Sequence, residues 1–299
     1  MTKQMIAENT EENNMILSTQ THVAAERFGD VGAVRVIAQA GFDAIDFSMF
    51  EDYNSQYLFS DGYKEYIAQI KAAADECGVY FNQAHAPFPS YRVGDEEYNK
   101  MIFPRLIRAI EIAGLLGVKN IIVHPVFVAE NKKEFNMDMY NSLLPYAKQA
   151  GVKIALENMW GRDKKRGYIV HNVCSGPDEL ADYYDSLPEE HFTVCLDIGH
   201  CGLVGEDEAE FIEKLGAKRL TCLHVHDTNY RSDDHTVPFL RSLDWEKICA
   251  ALAKIGYTGD LTFEADAFMY NIPTPLIPSA LKFMHDTGRY LISLIERKD

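Results

Sequence analysis

The chain has 299 residues, of which 47% are hydrophobic and 25% charged, a composition typical of a globular enzyme. Its formal net charge of −16, from 29 basic and 45 acidic residues, disfavours nucleic acid and anionic membranes as partners. The sequence predicts neither a signal peptide nor a membrane span, and six cysteines without a CxxC pair favour reduced thiols in the cytoplasm.

Short apolar runs alternate along the chain with stretches whose apolar residues recur at helical spacing, most of them ended by glycine. Residues 1–14 are polar, and we expect them to form a tail that precedes the folded domain. The predicted strands span residues 15–18, 42–47, 79–84, 120–123, 152–156, 193–196, 219–223 and 260–263. The predicted helices span residues 30–40, 62–77, 95–116, 136–150, 177–187, 206–215, 244–255 and 278–295.

Eight strand–helix units without a linker predict an α/β fold with a parallel sheet. Runs such as residues 121–123 and 154–156 are wholly apolar, as expected for strands covered on both faces. The size and the number of units favour a single (β/α)8 TIM barrel domain over residues 15–299. A doubly wound sheet is the alternative, but no glycine-rich phosphate loop follows the first strand.

Seven of the predicted strands have an ionisable residue at or just beyond their carboxyl end. These residues are Asp46, His85, His124, Glu157, Asp197, His224 and Glu264. Each alone could cap a helix or face water, but a TIM barrel places its active site at this end. Together they predict an active site.

The densest group lies in residues 220–238, which hold three of the ten histidines. His224 and His226 are two residues apart, so in a strand both point to the same side. Four successive strand ends are expected to converge near the barrel axis, and they carry Glu157, Asp197, His224 and Glu264. Carboxylate and imidazole ligands suit Mn2+, Zn2+, Co2+ or Mg2+, and positions left open would admit a substrate.

Six short motifs together resemble the xylose isomerase-like TIM barrels, a group that includes sugar phosphate isomerases and epimerases, ketose 3-epimerases, inosose dehydratase-type lyases and endonuclease IV. The motifs are residues 83–87 (QAHAP), 123–125 (VHP), 155–158 (ALEN), 196–200 (LDIGH), 223–227 (LHVHD) and 263–266 (FEAD). The resemblance covers essentially the whole chain after the tail. It is specific to the motifs as an ordered set, since any one of them alone is weak.

The resemblance to ketose 3-epimerases implies one divalent metal ion held by Glu157, Asp197, His224 and Glu264, with manganese preferred and zinc, cobalt or magnesium as alternatives. It also implies that Glu157 and Glu264 form the catalytic acid/base pair, and that His200 contacts the sugar. The remaining residues predicted to bind substrate are His85, His124, Trp160, Arg231 and His235. His226 and Asp227 are expected to lie further up the rim and to support the metal ligands.

The predicted reaction removes a proton α to a sugar carbonyl, which an unaided carboxylate cannot do. A metal that chelates the carbonyl oxygen and the neighbouring hydroxyl would stabilise the enediolate, and a second group would return a proton. Return to the opposite face gives an epimer, and return to the neighbouring carbon gives an isomer. The expected partner is a small sugar or sugar phosphate, and a homo-oligomer is left open.

Two alternatives remain. A lyase or dehydratase acting on a polyol or keto-sugar derivative would begin with the same proton removal. An endonuclease IV-like phosphodiesterase would use further ligands, including Asp233 and His235, although the acidic chain opposes DNA binding. A basic loop with Arg162, Lys164, Lys165 and Arg166 either recognises a substrate phosphate or carboxylate or is simply solvated.

Overall fold

Eight parallel strands form a nearly closed barrel in the computed structural model, which describes residues 15–50 and 53–297. The predicted tail, residues 1–14, lies outside the described residues. The barrel strands are β1 (Leu17–Gln20), β2 (Ala44–Ser48), β3 (Tyr80–His85), β4 (Asn120–Ile122), β5 (Lys153–Glu157), β8 (Phe192–Asp197), β9 (Leu220–His224) and β10 (Leu261–Phe263). A two-stranded antiparallel hairpin, β6 (Trp160–Arg162) and β7 (Ile169–His171), follows β5.

The sheet runs in the order β10-β1-β2-β3-β4-β5-β8-β9. Val225 closes it by bridging to Phe263, with its N–H donating to the Thr262 carbonyl at 2.9 Å. β1, β2 and β8 are buried along their whole length. This confirms the predicted TIM barrel, because parallel strands covered by helices outside and packed side chains inside leave no face for water.

Helices surround the barrel. They are α1 (His22–Ala40), α2 (Ser55–Leu58), α3 (Tyr63–Cys77), α4 (Glu96–Leu116), α5 (Lys132–Ala150), α6 (Pro177–Asp185), α7 (Ile198–Leu203), α8 (Glu208–Arg219), α9 (Trp245–Ile255) and α10 (Ile277–Ile295). Several end at a glycine in the left-handed region, as at Gly117 (φ 78°) and Gly151 (φ 71°), which a side chain would disfavour.

Two helix starts differ from the prediction by more than two residues. The first begins at His22 rather than residue 30, because Gly29 (φ 70°, ψ 165°) breaks the helix in two and hides its first part from the periodicity. Helix α5, which corresponds to the fourth predicted helix, begins at Lys132 rather than residue 136. The hairpin and the short α7, which starts directly after Asp197, were not predicted. All of these differences lie at or near the carboxyl ends of strands.

The main hydrophobic core fills the layer between strands and helices. A second cluster joins Ile122, Ala155, Cys195 and Cys222, which come from β4, β5, β8 and β9. All six cysteines are free, and only Cys77 is exposed. None of the described helices combines the length and apolar character needed to cross a membrane.

Candidate active site

The ionisable residues predicted at the strand ends come together at one end of the barrel. Their side chains form three neighbouring groups, two of which share Glu157, and within each group the possible ligand atoms lie within 4.8 Å of one another. The groups are Glu157 with Asp197, His224 and Glu264; Glu157 with His85 and His124; and His200 with His226, Asp233 and His235. Most of these side chains are buried, since the strand ends sit below the loops that follow them.

The central group contains the four predicted metal ligands. His224 Nδ1 lies 3.0 Å from Glu157 Oε1 and 3.1 Å from Glu264 Oε2. On its other side, Nε2 lies 3.5 Å from Asp46 Oδ2. Asp197 is fully buried, and its Oδ1 accepts a hydrogen bond from the His200 N–H at 2.6 Å, which starts α7. One side chain therefore serves both the donor group and a helix cap.

A second group, which we call the β3–β4 side, consists of His85 and His124 with Glu157. His85 Nε2 lies 2.9 Å from His124 Nε2, which in turn lies 2.9 Å from Glu157 Oε2. His85 Nδ1 donates to the Ala86 carbonyl at 2.7 Å, so in the neutral ring Nε2 carries the lone pair and points into the site.

The third group, which we call the β8–β9 side, consists of His200, His226, Asp233 and His235. His226 Nε2 lies 2.9 Å from Asp197 Oδ1, and its ring stacks on His235 with centroids 4.1 Å apart. His235 Nδ1 donates to the Glu264 carbonyl at 2.8 Å, while Nε2 lies 3.1 Å from Asp233 Oδ2. His200 Nδ1 similarly donates to the Asn158 carbonyl at 2.9 Å.

These contacts fit the binding of a divalent cation. Histidine ligands commonly donate one ring N–H to a carbonyl and direct the other nitrogen at the metal, as His85 is arranged to do. Glu157 Oε2 and His224 Nε2 are buried and make no hydrogen bond of regular geometry among the described residues, although His124 Nε2 lies 2.9 Å from the first and Asp46 Oδ2 lies 3.5 Å from the second. Buried atoms of this kind are costly unless something binds them.

Electrostatics differ between the two sides. Burial and the neighbouring His124 lower the pKa of His85 to about 4. Burial alone would lower the pKa of His200 as well, but the carboxylates of Asp197 and Asp233 outweigh it and raise the pKa to about 10. Burial opposes ionisation of Glu157 and Glu264, yet adjacent histidines, His224 above all, hold both carboxyl pKa values below their usual range.

A cleft of about 470 Å3 opens above the donor groups. Five of the six residues predicted to bind substrate line it, namely His85, His124, Trp160, His200 and His235. Arg231 lies exposed on the loop after β9, outside the residues that line the cleft. The Trp160 Nε1–H donates to Asp233 Oδ2 at 3.0 Å, which ties the β6–β7 hairpin to the site.

The basic loop forms the turn of this hairpin. Arg162 lies over the Trp160 ring, with its guanidinium carbon 5.5 Å from the centroid, and donates to the Gly167 carbonyl. Lys164, Lys165 and Arg166 are exposed. All four cations are therefore exposed, and Arg162 also contacts Trp160, which lines the cleft.

Some site residues were not predicted from the sequence. The Asn158 side chain bridges β5 and β8 by donating to the Asp197 carbonyl at 2.8 Å and accepting from the Asp197 N–H at 2.7 Å. Gly199 leaves room for His226, whose Cε1 would lie 2.0 Å from an added Cβ. Asp227, which was expected to support the site, accepts hydrogen bonds from four backbone N–H groups and thereby organises the loop that follows β9.

Comparisons with known proteins agree with this architecture. A sequence model described as "Xylose isomerase-like TIM barrel" matches residues 34–286. The uncharacterized protein y4fM of Sinorhizobium fredii is 24% identical over 278 residues, which cover 82% of this chain and 85% of that protein.

Two solved structures share the fold. A D-tagatose 3-epimerase-like protein superposes with a TM-score of 0.71 and 20% identity, covering 94% of this chain and 98% of the other. The IOLI protein with a bound zinc atom has a TM-score of 0.71 and 17% identity, covering 95% and 100%. At these identities the likeness is one of fold, so the reaction has to be argued from the site itself.

Proposed function

Because this chain belongs to the xylose isomerase-like TIM barrel family, we propose that it is a metal-dependent isomerase or epimerase of sugars or sugar phosphates. The observation that carries the proposal is the position of Glu157 and Glu264. These buried carboxylates come from different strand ends, lie 3.0 and 3.1 Å from the same His224 nitrogen, and both line the cleft. Two carboxylates beside one bound carbon could remove a proton and return one.

The proposed cofactor is one divalent metal ion held by Glu157, Asp197, His224 and Glu264. Manganese is the preferred ion because three of these four ligands are carboxylates. Zinc is the alternative ion, which the zinc atom bound to the IOLI protein supports. When bound, such an ion would polarise a substrate carbonyl and make the adjacent C–H more acidic.

The chain's own residues would complete the reaction. Glu157 and Glu264 are both ionised, because nearby histidines stabilise their charges, so either can accept the substrate proton at a carboxylate oxygen. His200 and His235 line the cleft on either side of Asp233, and their Nε2 atoms could hydrogen-bond a sugar hydroxyl that takes the place of this carboxylate. Trp160 offers an aromatic wall, fixed by its bond to Asp233.

The deciding experiment is incubation of the metal-loaded protein with a panel of ketoses and polyol derivatives in D2O. We expect deuterium to be incorporated at the carbon next to a carbonyl. Mass spectrometry measures the incorporation, and NMR of the product identifies the carbon. Loss of water from the exchanging compound would instead identify the dehydratase alternative. If no compound exchanges at any metal loading, the proposal is wrong.

A multinuclear phosphodiesterase is the second candidate, and the presence of three neighbouring donor groups favours it. Glu157 belongs to two of these groups, so it could bridge two ions. The net charge of −16 argues against a DNA substrate. Metal analysis that finds three ions per chain, together with nicking of abasic DNA, would replace the isomerase proposal with this one.

The proposed localisation and partners are those predicted from the sequence. We place the protein in the cytoplasm, with a small sugar or sugar phosphate as its partner and a homo-oligomer open. Neither nucleic acid nor a membrane is proposed as a partner, on the strength of the acidic composition.

A further inference from the structure

The donor groups are reached from two clefts rather than one. Both clefts are lined by Phe88, Asp233, His235 and Glu264. The first cleft, of about 470 Å3, continues toward Trp160 and the β6–β7 hairpin. The second, of about 460 Å3, continues to the opposite side, between the residues that follow β1 and those that follow β10. A ligand bound at the donor groups therefore has room to extend in two directions.

The second cleft has walls suited to a sugar. Its lining includes Gln20, His22, Phe50, Asp266 and Tyr270. The Tyr270 side chain is 43% exposed, and its ring lies edge-on to the His22 ring with centroids 6.2 Å apart. Pockets that select small ligands combine such aromatic surface with a few fixed polar groups. Aromatic rings also pack well against the C–H face of a sugar.

A fixed polar group is present in each cleft. Gln20 is 5% exposed, and its Nε2 donates to Asp266 Oδ1 at 2.5 Å, while Asp266 Oδ2 accepts from the Val23 N–H at 2.8 Å. Gln20 Oε1 is left buried without a hydrogen-bond partner among the described residues. In the first cleft, Ser90 Oγ is in the same condition. A ligand hydroxyl would satisfy each of these atoms, which are otherwise costly to bury.

Phe88 stands between the two clefts. Its side chain is 41% exposed, and it packs edge-on against Phe50 at 5.0 Å and lies 5.1 Å from the His124 ring. Since Phe88 borders both clefts above the donor groups, it offers contact surface to parts of a ligand on either side.

From these observations we propose that the substrate is a glycoside with two sugar units. The reacting sugar lies over the donor groups in the first cleft, and the second unit lies in the second cleft against Gln20 and Tyr270. These two residues thereby determine specificity, by a hydrogen bond from a sugar hydroxyl to Gln20 Oε1 and by packing against the Tyr270 ring. The proposal rests on the proposed sugar isomerase or epimerase function and names its substrate class.

The test compares binding within matched pairs, measured by isothermal titration calorimetry on the metal-loaded protein. Each pair joins a monosaccharide to a disaccharide that carries it at the reducing end: D-fructose with maltulose, D-glucose with maltose, and D-xylose with xylobiose. We expect the disaccharide to bind at least about tenfold more tightly in one pair or more. Tyr270→Ala should remove that preference, measured as the ratio of disaccharide to monosaccharide affinity, whereas Tyr270→Phe should retain it.

Tyr80→Ala is the matched control. Tyr80 is 42% exposed and begins β3, at the opposite end of the barrel, so its loss should leave every affinity unchanged. Equal affinities in all pairs, or a preference that survives Tyr270→Ala, would overturn the proposal even if α-protons exchange in D2O. A preference that Tyr270→Ala removes would support it even if no proton exchanges, so the two proposals fail separately.

Discussion

The β3–β4 side and the β8–β9 side of the site use the same residue type in opposite electrostatic states. His85 and His200 are both buried, yet the pKa of His85 is lowered to about 4 and that of His200 is raised to about 10. Burial acts in the same direction on both. The difference comes from neighbours, because His85 faces another imidazole, whereas His200 faces the carboxylates of Asp197 and Asp233.

This contrast shows how one barrel end can present two kinds of surface. A neutral imidazole with its lone pair directed inward suits coordination, whereas a protonated one beside a carboxylate suits donation to an anionic or hydroxyl oxygen. Glu157 joins the two sides, since Oε2 lies 2.9 Å from His124 Nε2 and Oε1 lies 3.8 Å from His200 Nδ1. Glu264 contacts His224 and His235 but neither histidine of the β3–β4 side within 4 Å.

The largest expected effect follows from removing the charge of Glu264. Glu264→Gln keeps the shape of the side chain but cannot accept a proton, so exchange of the α-proton should fall by about 10²–10⁴-fold. Mass spectrometry after incubation in D2O measures this rate. Asp234→Asn, which changes a carboxylate that contacts Arg241 and Ser232 on the loop after β9, is the control and should retain the rate. Full activity of Glu264→Gln would remove it from the acid/base pair.

The second effect separates one metal site from several. His224→Ala removes one of the proposed metal ligands and should lower the metal affinity more than ~10-fold. His85→Ala, on the β3–β4 side, should leave one bound ion in place. Metal content after gel filtration, read by mass spectrometry, gives the answer. If His85→Ala instead loses one ion of two or three, the β3–β4 side holds a metal of its own, and the phosphodiesterase candidate gains support.

The sequence predicted which side chains meet at the candidate site better than it predicted the contacts that hold them in place. The alternation of strands and helices forces parallel strand ends to one side, so Glu157, Asp197, His224 and Glu264 could be grouped without coordinates. The Asn158 bridge to Asp197 depends on strand neighbours that are 39 residues apart. The second cleft depends on β1 lying beside β10, a pairing of distant parts of the chain that leaves no local pattern.

A third effect tests whether packing holds the β8–β9 side in place. Gly199→Ala would place a Cβ 2.0 Å from the His226 ring, which contacts Asp197, so the ring must move. We expect a loss of about 1–3 kcal/mol in the free energy of unfolding and weaker metal binding. Urea denaturation and metal titration measure the two effects. Gly62→Ala is the control, because the nearest atom to its added Cβ is Ser60 Oγ at 4.0 Å.

A double variant sharpens this test. Gly199→Ala combined with His226→Ala removes the clash, so the combined loss in stability should be smaller than the sum of the single losses. Additive losses would mean that Gly199 acts through something other than the His226 ring.

The last effect is the pH dependence of the metal-free protein, where the two sides should act in opposite directions. The folded pKa of His85 lies below its ordinary value of 6.5, so its contribution to stability is present above pH 6.5 and is lost as the pH falls toward 4. The folded pKa of His200 lies above 6.5, so its contribution is present below pH 6.5 and is lost as the pH rises toward 10.

Because each histidine binds or releases one proton, it changes the free energy of unfolding by at most about 1.4 kcal/mol per pH unit. Urea denaturation of the chelator-treated protein between pH 4 and 10 measures both limbs. His85→Gln should reduce the slope of the acid limb and leave the alkaline one, whereas His200→Gln should reduce the slope of the alkaline limb, to which His224 and His235 also contribute. If either variant flattens both limbs, Glu157 couples the two sides so tightly that they titrate as one unit, and the contrast between them belongs to the whole site rather than to two separate histidines.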